Sequence, residues 1–358
     1  MDFTFFRELL SIDSTSGKER KVAEWLAERL PGMFPEANRP VLRVDEVGDG
    51  TLNLLLTWGE PKIVFCSHLD TVPPYIPPSL SEDRICGRGS CDAKGQVFAM
   101  VEACKKLAEE SCLNFGLLLL AGEETGSWGA KAFAKTDFKA DYLVVGEPTD
   151  NCMVSASKGT KSFDLKFTGV PFHSGYPQHG VSAVDLFVEF VEALKAKDFG
   201  TDPLLGETTW NIGLLHSDNP QNILSPELTC RIYFRTTFVS DEAVSAWMAA
   251  VPEGEAVPSA SLRDPVRANA PGTATPSGRI AVTPRGGDTP ARYWTVEDIP
   301  SKSVAFGSDA PHLKGFAHKA ICGPGSITVA HRDDEHVRIA DLATAVEQYV
   351  ALYRAVTK

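Results

Sequence analysis

Successive short segments of this chain are apolar throughout and then end abruptly on an imidazole or a carboxylate. Lys62–Ser67 runs into His68-Leu69-Asp70, Leu117–Ala121 into Gly122-Glu123-Glu124, and Tyr142–Val145 into Gly146-Glu147. Unbroken apolar runs of this length, without polar alternation, are the pattern of strands buried on both faces. Between them lie helical patterns: Phe3, Phe6, Leu9 and Leu10; then Val22, Trp25, Leu26 and Leu30; then Val97, Met100, Val101, Cys104 and Leu107 within Gly95–Leu107. Arg338–Val356 closes the chain as an amphipathic helix. Strands alternating with helices over short links imply an α/β sandwich around a mostly parallel sheet. In such sheets ligands bind beyond the carboxyl ends of the strands, where these polar residues fall.

The pattern changes after Lys158. Ser162–Thr168, Trp210–Leu215 and Leu228–Thr236 alternate like half-solvated strands, and Val181–Leu194 and Asp241–Ala250 read as helices. The order β-α-β-β-α is ferredoxin-like and predicts a smaller α+β domain set into the first. The expected organisation is a catalytic α/β/α domain over 1–158 and 266–358 with an insertion over 159–265. Pro252–Pro290, rich in Pro, Gly, Ser, Thr and Ala, reads as a return crossing plus irregular loop.

Composition excludes several classes. Of 358 residues, 35 are Lys or Arg and 47 are Asp or Glu, for a formal charge of −12, so the chain lacks the basic excess of a nucleic-acid or anionic-membrane binder. No apolar run approaches the roughly 20 residues of a membrane span. The eight cysteines form no CxxC pair, several sit in apolar segments, and Met1-Asp2-Phe3-Thr4 does not read as a signal peptide, so a cytoplasmic location is expected.

Each polar motif has a plain structural reading by itself. His68 and Asp70, two apart on extended backbone, point the same way and form either a metal-ligating imidazole with its carboxylate or a strand-end pair before a turn. Asp92, in Gly87-Arg88-Gly89-Ser90-Cys91-Asp92-Ala93-Lys94-Gly95, reads in isolation as a helix cap. Glu123 and Glu124 are loop acids, or a ligand beside a general base. His331 follows Gly323-Pro324-Gly325-Ser326, and single histidines are commonly structural. Taken together, imidazoles and carboxylates without thiolate suit hydrolytic zinc, cobalt or manganese. Two divalent ions sharing Asp92, with Glu124, Glu147 and a hydroxide, would sum to neutrality, with His68 and His331 completing the ions and Glu123 left free.

The motifs Ser67-His68-Leu69-Asp70-Thr71-Val72-Pro73, Gly87-Arg88-Gly89…Asp92-Ala93-Lys94-Gly95, Glu123-Glu124 and Gly146-Glu147-Pro148, with the late His331, resemble those of the M20 metallohydrolases, in the same order over nearly the whole chain. The resemblance implies a di-zinc catalytic α/β domain with an inserted α+β lid or dimerisation domain, and a homodimer formed through it. Carried over by motif, His68 and Glu147 hold one zinc, Glu124 and His331 the other, and Asp92 bridges them. Glu123 is the general base and Asp70 orients His68.

In the insertion, Gly169-Val170-Pro171-Phe172-His173 resembles the family turn whose His polarises the scissile carbonyl. His179 competes with His173 for that role. Asn222-Ile223-Leu224-Ser225-Pro226 and Arg235 resemble the family's substrate-binding Asn and Arg, although Arg235 also reads as a surface-strand residue. Gly307-Ser308-Asp309-Ala310 resembles a substrate-pocket segment, while Ala256–Pro300 departs from the family pattern. The activity implied is hydrolysis of the amide of an N-acyl amino acid such as N-acetylornithine or N-acetyllysine, of the acetylornithine deacetylase or succinyl-diaminopimelate desuccinylase type. A cytosolic di- or carboxypeptidase is the alternative.

Overall fold

The computed structural model describes residues 1–251 and 277–357. The expected boundary at 265 and the first part of the irregular stretch, 252–276, lie outside them. The chain forms two compact units. One comprises Met1–Ser155, Arg292–Ser303 and Ser308–Lys358; the other comprises Ala156–Ala291 and Val304–Gly307. The second therefore runs on beyond the expected 265.

The first unit is built on a six-stranded sheet in the order Val41–Val47, Thr51–Trp58, Phe115–Leu120, Ile63–His68, Ala140–Val145, Phe316–Ile321. The last four are parallel neighbours, and the first two are added in antiparallel fashion. The sheet is thus mixed. The edge strand Val41–Val47 escaped sequence reading because most of it is solvent-facing, which hides any buried-strand signal. Ile63, Phe65, Leu117, Leu119 and Val144 join a core with helices Thr4–Leu10, Arg20–Arg29, Lys94–Glu109 and Ile339–Thr357. The alternate residues Val64, Cys66, Leu118 and Leu143 are equally buried, so both faces of the central strands are covered, as apolar runs without alternation require. Phe98 stacks on Phe6 with ring centroids 4.9 Å apart, joining helix Lys94–Glu109 to Thr4–Leu10, and Phe65 meets Tyr349 at 5.5 Å, setting helix Ile339–Thr357 against strand Ile63–His68.

The second unit carries a four-stranded antiparallel sheet in the order Thr209–His216, Glu227–Thr236, Gly159–Thr168, Arg279–Gly286. Helices Ala183–Ala196 and Asp241–Ala249 pack on it through Leu186, Phe190, Leu194, Val244 and Met248. Alternation along Glu227–Thr236 is sharp, with Leu228, Cys230, Ile232 and Phe234 inward. The fourth strand, Arg279–Gly286, corrects the reading of this stretch as irregular. It is an edge strand with Pro284 in it and mostly exposed side chains, so it carries little apolar periodicity.

No helix among the described residues is long and apolar enough to cross a membrane.

Candidate active site

Three parallel strands place the first candidate residues. Register pairs His68 with Leu120 and Cys66 with Val145, so the carboxyl ends of Ile63–His68, Phe115–Leu120 and Ala140–Val145 coincide. Beyond Leu120, Gly122 adopts φ +68, and a Cβ there would fall 1.9 Å from Nε1 of Trp128. Glycine therefore permits the sharp turn that presents Glu123 and Glu124.

Asp70 organises that turn. Its carboxylate accepts the backbone N–H of Glu123 at 3.0 Å, that of Glu124 at 3.1 Å, and the Ser16 hydroxyl at 2.9 Å. Its hold on His68 is made chiefly by its backbone carbonyl, 3.0 Å from Nδ1, with the carboxylate at 3.4 Å. A backbone carbonyl on Nδ1 favours the tautomer that leaves Nε2 bare and facing the pocket.

Asp92 stands between two imidazoles. Its Oδ1 is 3.1 Å from His68 Nε2 and its Oδ2 is 3.3 Å from His331 Nε2, while His331 Nε2 is 2.9 Å from Glu124 Oε1. Ligand atoms of His68, Asp92 and Glu124 all lie within 4.8 Å of one another. His331 has φ 64, an uncommon conformation for a residue with a Cβ.

The electrostatics follow from crowding acids where His68, Asp70, Asp92, Glu147 and Asp309 are buried. Burial, opposed by the His68 charge and reinforced by Asp309, Glu124 and Asp92, holds the Glu123 carboxyl well above the ordinary range. Burial, then the charges of Asp92 and Glu123, does the same to Glu147. Burial resists protonation of His68, but Asp70 and Asp92 outweigh it and raise its pKa. Asp92 and Glu124 push His331 up to about 10. Burial disfavours the Asp92 carboxylate, yet the two imidazoles hold its pKa below the usual range.

His68, Asp92 and Glu124 fit a divalent cation. The cluster's donor set is two imidazoles and several carboxylates, matching hard-to-borderline ions. Glu147 is buried and feels the charges of Asp92 and His68; its Oε1 has no hydrogen-bond partner, and a cation would satisfy it. Asp309, in the segment read as resembling a substrate pocket, is buried with Oδ1 unpartnered, and its carboxyl is raised to about 6 by burial, with the Asp70 charge adding to the rise. One residue escaped the sequence reading: Glu335, also buried, accepts the backbone N–H of Asp92, and the signal available was an acid four residues after His331.

In the second unit, His173 and Asn222 are brought together. The Ser174 N–H donates to the Asn222 carbonyl at 2.9 Å, and His173 bridges to Ile223. His173 Nδ1 accepts the Gly175 N–H at 3.0 Å, and His179, the competing candidate, lies against Phe172. Arg235 is elsewhere in the unit. It pairs with Thr160, whereas Glu227, nearest the Asn222 loop, pairs with Thr168. Eight strand positions at about 3.4 Å each separate the two ends by roughly 27 Å. Arg235 lies over the Tyr233 ring, 5.0 Å from its centroid.

Imidazoles and carboxylates gathered at the carboxyl edge of a parallel sheet, beside an acid of raised pKa, define a class: the metal-dependent hydrolases. The model of peptidase family M20/M25/M40 matches residues 64–355, and the chain belongs to that family. A relative named "Probable carboxypeptidase" from Aspergillus terreus is 33% identical over 390 residues, covering 98% of this chain and 86% of that protein. Among solved structures, a tripeptidase from Staphylococcus aureus shares the fold with TM-score 0.77 and 21% identity, over 98% of this chain and 96% of the other. The aminopeptidase PepT from Bacillus cereus matches with TM-score 0.76 and 22% identity, over 99% and 97%. The family expectation holds; the narrower expectation of an acetylornithine deacetylase has no counterpart in these names.

Proposed function

We propose that this chain is a metal-dependent peptidase that hydrolyses short peptides bearing a free carboxylate, with His68, Asp92, Glu124, Glu147 and His331 as the ligands of two divalent ions. The observation that carries this reading is the Asp92 carboxylate, with one imidazole at each oxygen and Glu124 beside the second. The name of the Aspergillus relative favours a peptide over N-acetylornithine or N-acetyllysine as substrate. Zinc is the ion proposed, with cobalt and manganese as substitutes of similar ligand preference.

When bound, the ions polarise the scissile carbonyl and make water a better nucleophile near neutral pH. The chain's own residues do the rest. Glu123 takes the proton as the water oxygen joins the carbonyl carbon, then delivers it to the amine nitrogen as the carbon–nitrogen bond breaks. A carboxyl with a raised pKa suits both halves of that transfer. Asp70 fixes the backbone of Glu123 and so the aim of its carboxyl. His173 and Asn222 are assigned to the substrate carbonyl and backbone in the partner subunit's site, across the homodimer, and Arg235 to a substrate carboxylate in its own, whose two oxygens its fork can grip. The second unit is assigned as the lid and homodimer surface. Leu214 and Leu215, exposed on the edge strand Thr209–His216, support that assignment.

A substrate panel tests the reading: dipeptides, tripeptides, their C-amidated forms, N-acetylornithine, N-acetyllysine and N-succinyl-diaminopimelate, with and without zinc. Zinc-dependent cleavage of the free-acid peptides is expected. Cleavage of the N-acyl amino acids alone would replace the peptidase by the deacylase.

A further inference from the structure

One carboxylate ties the turn that bears Asp92 to the segment that bears His331. Glu335 is 1% exposed. Its Oε1 accepts three backbone N–H groups, those of Gly89, Cys91 and Asp92, each at 3.0 Å. Its Oε2 accepts from the Arg88 guanidinium at 2.5 Å, and Arg88 is itself 1% exposed. The main chain repeats the link. The Gly87 N–H donates to the Glu335 carbonyl at 3.0 Å, and the Arg88 guanidinium donates to the Arg332 carbonyl at 3.2 Å.

Converging backbone N–H groups form a concave nest for an anion. Here the nest is filled from within by a side chain that comes from more than 240 residues away. Burying an ion pair of this kind contributes little to stability beyond what apolar residues of similar volume would supply. Its directional content is the informative part. All three amides on Oε1 belong to the turn that ends at Asp92, and Glu335 follows His331 by four residues on the same short segment. His331 is held there at a positive φ, which needs a firmly anchored neighbourhood.

We propose that Glu335 is a positioning residue for the metal pair: it locks the Asp92 turn to the His331 segment, so that the shared carboxylate and the second imidazole are presented as one rigid piece. This rests on the two-ion reading above. It assigns to the chain's own carboxylate, partnered by Arg88, the preorganisation that sets how tightly the ions are held.

The test uses the full chain stripped with a chelator and reloaded with zinc. Zinc affinity is measured by competition with a chelator of known strength, and zinc per chain by mass spectrometry, for the wild type, Glu335→Gln and Glu335→Asp. Gln keeps the shape but loses the charge facing Arg88, and Asp withdraws the oxygens by one methylene. Wild type is expected to hold two ions. Either variant should bind at least one of them roughly 10- to 100-fold more weakly, as loss of an outer partner of a ligand typically does. KM should be unchanged, and kcat restored at excess zinc. A residue needed only for folding would instead lower the melting point of the metal-free chain and leave zinc affinity alone. Zinc affinities of both folded variants within threefold of wild type overturn the proposal, as does failure of both variants to fold. A wild type that holds no ions overturns the metal reading itself, which stoichiometry distinguishes from failure of the Glu335 role.

Discussion

Nε2 of His331 lies 2.9 Å from Oε1 of Glu124, although 207 residues separate them. The same nitrogen is 3.3 Å from Oδ2 of Asp92, whose other oxygen faces His68. An acid ahead of helix Lys94–Glu109, whose cap is Ala93 and not Asp92, a loop acid and two strand-end or loop histidines thereby become one polar cluster. Its members differ in what they are expected to do, and substitutions separate them.

Glu123 is assigned to proton transfer. Glu123→Gln should lower kcat by roughly 10²- to 10⁴-fold, the usual range for loss of a general acid–base group. Zinc per chain should stay at the wild-type value. Parallel measurement of turnover and metal content checks this, and a Gln variant with near-normal turnover would remove Glu123 from the mechanism.

Metal removal should abolish activity, and zinc, cobalt or manganese should restore it. Under the proposed two-ion reading, Glu147→Gln is expected to hold one ion per chain and the wild type two, since that reading gives the buried, unpartnered Oε1 of Glu147 to an ion. Mass spectrometry of the native protein counts the ions directly.

Arg235→Ala should raise KM for free-acid peptides about 10- to 100-fold, in line with the roughly 1.5–3 kcal/mol of a hydrogen bond to a charged group. C-amidated peptides should be unaffected. Equal KM values for both substrate sets in wild type and variant would leave Arg235 as a strand residue lying over Tyr233.

Asp309 sets a pH dependence in the metal-free protein. Its carboxyl is raised from 3.8 to about 6, by burial first. Between those values the folded chain binds more protons than the unfolded chain, so this group's favourable contribution is present at low pH and is lost as pH rises through about 6. At about 1.4 kcal/mol per pH unit the effect is roughly 3 kcal/mol. Asp309→Asn should remove that fall, so denaturant curves for the two proteins from pH 4 to 7 should diverge. Parallel curves would mean that the Asp309 carboxyl titrates normally.

The apolar strands Ile63–His68, Phe115–Leu120 and Ala140–Val145 were legible because a strand covered on both faces has to be apolar at every position. The alternation in Glu227–Thr236 was legible for the converse reason. The exposed edge strands Val41–Val47 and Arg279–Gly286 were not, since solvent imposes no period on their side chains. Among the site residues, His68, Asp92, Glu124 and His331 were singled out by motif and do meet in space. Whether the scissile bond belongs to a peptide or an N-acyl amino acid was not legible, because both present the same amide and carboxylate.

By itself the sequence determined the inner parallel strands of the central sheet and its long helices, and which acids and imidazoles stand at strand ends, since local periodicity and chain direction suffice for both; its edge strands Val41–Val47 and Phe316–Ile321 were not read from it. Tertiary structure alone decided that the Asp70 carboxylate lies closer to the backbone of Glu123 and Glu124 than to the His68 ring, and that Glu335 reaches the Asp92 turn. It also decided that Asn222 and Arg235 sit at opposite ends of one sheet. Those facts depend on which distant segments become neighbours and on where burial removes water, and neither is a property of any short stretch of chain.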